Sequence, residues 1–381
     1  MMGDVDGLSE RRTEVANKLE RARRLMVDRG ITGLMLTRPG SVSWLTAGAQ
    51  NPIVRGSDAG AFCWVLVTAN RVYLLTQNIE GPRLAEEEGL RDLGFEIIEH
   101  PWYATDTWTA TLDRLGGDVV GADAGNAGVD VSADLIRLRL PLCQLEQHRL
   151  RRLGADGADA VERSLRALRA GESERAIAAR LAHGCELKGI TPVVLLVGSD
   201  TRMRSFRHCP PSDAIVNEAA MVVLVGVRGG LNIACTRMAS LGAVEAELDR
   251  RQQAACQVEA AMIAATVPGA SYGAALERGI DTYAELGWPG EHEHHYQGGP
   301  IGYDVREFGP APRTRPDRWT EEPIPDGSAF AWNPTVKGGK SEDTFLSSPD
   351  GAEWLTRTDS WPVREIEVDG QVIARPAILE V

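Results

Sequence analysis

The stretch HHYQGGPIGYDVRE, residues 294–307, gathers two histidines, a glutamine, a tyrosine, an arginine and a glutamate around three glycines and a proline. Glycine lets a backbone pass close to a ligand, and converging polar side chains are what a binding site needs. A second polar segment, SDTRMRSFRHCPPSD, carries His208. Imidazole titrates near pH ~6.5, so a histidine in either segment can take and return a proton at neutral pH. Cys209 and Cys235 make a thiol nucleophile paired with His208 conceivable. Adjacent residues on an extended segment, however, point to opposite faces, and free cysteines are common core fillers. GGPIG is not a phosphate loop, because it lacks the GxGxxG spacing and the Lys-Ser/Thr of a Walker motif. The plain alternative for 294–307 is a solvated loop behind Glu291 and Glu293.

The elements that must position these residues follow from the patterning. Residues 8–29 place Val15, Leu19, Leu25 and Met26 on one helical face, and Gly30 ends the helix. ITGLMLT (31–37), AFCWVLVT and RVYLLT read as strands, followed by a helix at 79–89, strand FEIIEH (95–100), a helix near 106–115 and strand DVVGADA (118–124). A helix at 132–139 and a strand CQLEQH (143–148) complete a small α/β domain over 1–150. A second domain, 151–381, contains an internal repeat: Gly171 and Gly269, Ser173 and Ser271, and Gly189 and Gly287 are each 98 residues apart. In both copies a serine stands ready to cap a helix that stops at a glycine. A duplicated α+β domain with a site between its halves is the expectation.

Composition narrows the function classes. The chain has 381 residues, 43% apolar and 25% charged, as an ordinary globular protein of two domains would. A net charge of -13 gives no basic field to attract nucleic acid. Six scattered cysteines without CxxC pairs suit a reduced chain and carry no zinc signature. MMGDVDGLSERR lacks the apolar core of a signal peptide, and no run of eighteen apolar residues predicts a membrane span. A cytoplasmic protein is expected.

Five pieces then carry a resemblance: Phe206-Arg207-His208 with Pro211-Ser212-Asp213, Thr236-Arg237, Gly302 with Glu307, Trp332-Asn333-Pro334, and Ser341-Glu342-Asp343-Thr344, in order over about 140 residues. The chain resembles the pita-bread superfamily of creatinase, prolidase, aminopeptidase P and methionine aminopeptidase. The resemblance implies a creatinase-like N-terminal α/β domain, then a pseudo-twofold pita-bread domain, and a homodimer. Metallopeptidases of this fold hold two metal ions with two aspartates, a histidine and two glutamates. The matching positions here are Val223, Ala234, Gly299, Asn333 and Glu342, so only the last keeps its ligand type; no Asp or Glu lies between Glu218 and Glu245. Two divalent ions need several anionic ligands to offset their desolvation. No metal and no other cofactor is therefore expected.

His208 matches the family histidine that contacts substrate and, in metal-free creatinase, shuttles a proton. Glu342 is expected to orient it or to act as base, with Glu307, a motif glutamate, as a second helper. Arg306 stands where many relatives have a second histidine. Arg237, Arg306 and Lys340 bias the site positive, suiting a carboxylate held bidentately by arginine. Tyr303, Asn333 and His295 would orient the substrate. Arg55, in an N-terminal loop of the kind that reaches the partner's site in creatinase-like dimers, is a further candidate. The expectation is a metal-independent creatinase-like enzyme that hydrolyses a C–N bond in a small carboxylate-bearing nitrogen compound, in specialised metabolism. The alternatives are a non-catalytic pita-bread protein that binds a peptide, protein or metabolite, and an isomerisation or cyclisation by the same acid/base pair.

Overall fold

The computed structural model describes residues 7–51, 53, 62–104, 107–124 and 128–381. They form two compact units, Met1–Arg149 with Gly229–Leu231 and Leu150–Arg228 with Asn232–Val381. Among the described residues no helix is long and apolar enough to cross a membrane.

The first unit is an α/β layer. Its six-stranded mixed sheet runs, edge to edge, through Glu96–His100, Val72–Gln77, Cys63–Thr68, Gly33–Leu36, Val120–Ala122 and Val129–Asp130. Strand Gly33–Leu36 pairs antiparallel with Cys63–Thr68 and parallel with Val120–Ala122, which makes the sheet mixed. The helix Leu8–Arg29 buries Val15, Leu19, Ala22, Leu25 and Met26, and Gly30 closes it in the left-handed conformation at φ 62°. One expected strand is a helix. CQLEQH opens the helix Gln144–Arg166, where Glu146 Oε2 accepts from Cys143 N at 2.8 Å and so satisfies a backbone amide at the helix start. Burial at 146, 150, 153, 154, 157, 158 and 161 repeats every three to four residues, so the helical period outweighs the short alternation.

The second unit is built twice. Ser173 and Ser271 cap the helices Glu174–Glu186 and Tyr272–Glu285, each accepting from the amide three residues on at 3.2 Å. Their backbones agree, at φ -83° and ψ 152° against φ -82° and ψ 150°. Gly171 N donates to Val216 O and Gly269 N to Ile324 O, both at 2.9 Å. At the helix ends Ile190 N reaches Cys185 O and Trp288 N reaches Tyr283 O, beside Gly189 and Gly287 at φ 66° and 81°. The 98-residue repeat is thus a structural pseudo-symmetry.

Each half contributes a sheet. One is ordered Leu379–Glu380, Leu231–Ser240, Ala219–Arg228 and Thr191–Ser199; the other Gly298–Pro300, Ala329–Trp332, Asp343–Ser348 and Gly351–Trp354. They are stitched together where Ala234 N meets Thr344 Oγ1 at 2.8 Å and Thr236 N meets Glu342 O at 3.0 Å. Residues 234–236 and 342–344 therefore face one another across the junction of the halves.

Because the two serine caps share one geometry, Ser173→Ala and Ser271→Ala should each cost about 1 kcal/mol. Urea denaturation should show a midpoint loss in each variant, the larger for Ser271→Ala because Arg313 Nη2 also donates to Ser271 Oγ at 3.2 Å, and a loss at one site alone would contradict the shared capping role.

Candidate functional site

Glu342 stands at that junction with its side chain 1% exposed. Its Oε2 accepts from Thr236 Oγ1 at 2.7 Å, its Oε1 from Arg306 Nη2 at 3.1 Å, and Lys340 Nζ lies 3.6 Å from Oε2. Lys340 is itself buried, and desolvation first, with the Arg306 charge adding to it, lowers its pKa against the pull of Glu342. His208 is exposed and its Nε2 lies 3.2 Å from Nε2 of buried His295. Burial, then the Lys340 charge, lowers the His208 pKa, partly offset by Glu342. Burial, then Lys340, pushes His295 down to about 2, so His295 is neutral at ordinary pH. His294, at the end of the 3-10 turn Glu291–His294, is exposed.

The structure thus brings together His208, His295, Lys340, Glu342 and Arg306. His208 and Glu342 do not hydrogen-bond to each other: Glu342 is held by Thr236 and Arg306, and His208 by His295. Glu307 is buried and accepts the Tyr303 amide at 2.8 Å, fixing the Gly302–Glu307 turn. Tyr303 is buried too. The Asn333 backbone N–H donates to Gln297 O at 3.0 Å, and among the described residues its buried Oδ1 has no hydrogen-bond partner.

Arg237 is placed elsewhere. Thr236 and Arg237 are consecutive on a strand and so face opposite sides. The Arg237 guanidinium binds Asp343 Oδ1 at 2.9 Å and Thr356 O at 2.5 Å, 2% exposed, which corrects the expectation that it holds a substrate anion. Arg55 lies outside the described residues. Sequence reading missed Thr236 as the partner of Glu342, although it belongs to the quoted Thr-Arg pair, and missed Gln297 as the brace of this loop. Gln297 Nε2 donates to His295 O at 2.6 Å and its Oε1 accepts from Tyr283 OH at 3.2 Å. The thiols are not poised: Cys209 is buried with its pKa raised chiefly by desolvation, and Cys235 more so.

The four positions matching lost metal ligands are filled in other ways. Val223 packs in an apolar cluster with Met203, Met221, Met238, Leu248 and Ile378. Ala234 is fully buried, with its amide and carbonyl both bonded to Thr344 Oγ1. At Gly299, φ 148°, a β-carbon would meet Pro310 Cδ at 2.6 Å, so the proline ring occupies the place of a side chain. The fourth is Asn333. In the first unit, Glu14, Cys143 and Glu146 bring three donor atoms together. Lys18 Nζ already bridges Glu14 and Glu146 at 2.6 Å each, and burial pushes the Cys143 thiol up to about 11.

Comparison with known proteins now fixes the family. Residues 148–353 match the model of metallopeptidase family M24, more than half of the chain. The chain belongs to metallopeptidase family M24. Residues 18–145 match the creatinase/prolidase N-terminal domain. Among solved structures the fold is similar to a prolidase from Pyrococcus horikoshii OT3, at 17% identity and TM-score 0.73, covering 90% of this chain and 99% of that one. An Xaa-Pro dipeptidase from Bacillus anthracis gives 21% identity and TM-score 0.72, covering 90% and 98%. The N-terminal domain of the FACT complex subunit SPT16 from Cicer arietinum gives 12% identity and TM-score 0.64, covering 92% and 96%. No curated protein matches the sequence. The M24 chain therefore has a creatinase-type N-terminal α/β domain followed by a pita-bread domain.

The unfolded chain would bind a proton at His295 below about pH 6.5, whereas the folded site resists it down to about 2. Folding therefore loses stability as pH falls below about 6.5. Thermal melts should show the wild type losing more stability between pH 7 and 5 than a His295→Asn variant. Parallel curves would show that His295 titrates freely.

Proposed function

We propose that this M24 chain is a metal-independent enzyme that acts on a small carboxylate-bearing nitrogen compound, hydrolysing a C–N bond with His208 as general acid/base. The observation that carries the reading is the replacement around Glu342. The one retained ligand-type carboxylate contacts a guanidinium and an ammonium, and three of the positions matching the other ligands are Val223, Ala234 and Gly299. Two divalent ions would find one carboxylate already balanced by cations, and two apolar positions and a glycine where hard or borderline metals need oxygen or nitrogen donors. The residues do not fit a dinuclear centre.

Arg306 and Lys340 against Glu342 leave an excess of positive charge when both are protonated, which favours a substrate carboxylate. His208 is the exposed member of the imidazole pair. Its Nε2 faces His295, which leaves Nδ1 toward substrate. Because His295 stays neutral, it can accept the Nε2 proton of a charged His208 and hold the ring in place. His208 would take a proton from the attacking water and return it to the leaving nitrogen, so the cycle balances without a further acid. The peptidase names of the fold relatives are consistent with a substrate that contains a C–N bond. A second reading, a non-catalytic binding protein, is favoured by one observation: Glu342 is held by Thr236 and Arg306 and does not hydrogen-bond to His208.

Thermal-shift screening of amino-acid-like and amidine metabolites against wild type and His208→Ala separates the two. An enzyme should turn over a stabilising compound only when His208 is present, with at least ~10²-fold loss in the variant. Equal binding without turnover by either protein would establish the binder. Elemental analysis of the purified protein should show far less than one metal ion per chain, and two per chain would overturn metal independence.

A further inference from the structure

Glu342 is flanked by two residues that point the other way, as alternation along an extended segment requires. Ser341 Oγ donates to Glu259 Oε2, and Asp343 N donates to Glu259 Oε1 at 3.0 Å. Glu259 lies on the helix Ala246–Ala265, 0% exposed, the lone acid in the run AACQVEAAMIAA. Arg375 ties this carboxylate to the same strand, with Nε 2.7 Å from Glu259 Oε2 and Nη2 2.6 Å from Asp343 Oδ2. Arg237 and Thr356 hold the other oxygen of Asp343, at 2.9 and 2.8 Å. The residue before Glu342 and the residue after it are thus gripped from behind by one buried carboxylate.

We infer that Glu259 is a positioning residue for the site, a clamp that fixes the backbone on both sides of Glu342 so that its carboxylate meets Thr236, Arg306 and Lys340. The inference rests on the reading of Glu342 as a site group. A carboxylate used only to neutralise Arg375 would need no bond to Ser341 or to the Asp343 amide. Glu259 makes both, one with each oxygen, and these are the residues on either side of Glu342. A buried ion pair is weak evidence of stabilisation in itself, whereas fixing a geometry is a role such networks can serve. Removing the clamp frees the segment to shift, and Glu342 is the side chain that shift displaces.

His208 provides a readout that needs no substrate, because Glu342 raises its titration midpoint and Lys340 lowers it. In full-length protein labelled at histidine Cε1 and titrated by NMR, Glu342→Gln should lower the His208 midpoint. Glu259→Ala should lower it too, by about half a pH unit or more, and Ser341→Ala by less. Glu259→Gln keeps an oxygen to accept from Asp343 N but turns its NH2 toward the Arg375 donor, so its midpoint should lie between those of the wild type and Glu259→Ala. Leu248→Ala, an apolar truncation on the same helix, should lower the melting temperature and leave the midpoint in place. A His208 midpoint that moves in Glu342→Gln but not in Glu259→Ala overturns the clamp alone. One that moves in neither overturns the site reading as well, and one that moves equally in Leu248→Ala reduces Glu259 to a stability role. Should Glu259→Ala fail to fold, Ser341→Ala decides: an unmoved midpoint overturns the proposal.

Discussion

A carboxylate taken out of water must be matched by charge or donors at close range, and Glu342 is matched by Arg306, Lys340 and Thr236. Much else about the site follows from this. Lys340 is placed where burial and a nearby guanidinium disfavour its charge. The same ammonium helps to keep His295 neutral and lowers His208. Burial is the first cause in both imidazoles, and the Lys340 charge adds to it in each.

The site lies where two copies of one substructure meet. Each half caps its helix with a serine, turns on a glycine and offers a sheet, and the sheets join through Thr344 with Ala234 and Glu342 with Thr236. The seam presents backbone and side-chain oxygens from both halves. In this chain the positions matching three of the lost ligands are Val223, Ala234 and Gly299, and Pro310 fills the space that a side chain at 299 would take.

Behind the seam the opposite face carries a second charged network of two acids and two arginines, Glu259, Asp343, Arg237 and Arg375. It is buried, Arg237 reaches a further acid, Glu162, at 3.4 Å, and the network shares a strand with the site. Consecutive residues 341 to 343 alternate between the two networks, so the packing of the C-terminal strands and the long helix bears on where Glu342 points. The first unit contains a comparable balance, with Lys18 between Glu14 and Glu146 and the Trp44 carbonyl at 2.7 Å. In both places a cation stands where a cluster of donors would otherwise invite a metal.

Periodicity and punctuation are local, and the sequence by itself determined what depends on them: the α/β unit and the duplicated helices with their Ser and Gly ends. It failed at CQLEQH, where six residues alternate as a strand does but the last five open a helix whose period shows only over its twenty-three residues. It also misplaced Arg237, since adjacency to Thr236 in the chain means opposition in a strand. Tertiary structure alone decided which histidine of the pair 294–295 turns inward to His208, that Thr236 holds Glu342, and that Glu259, 82 positions before Ser341, grips its neighbours. These contacts join segments far apart in the chain, and side-chain direction at each end depends on packing against elements that no local pattern records.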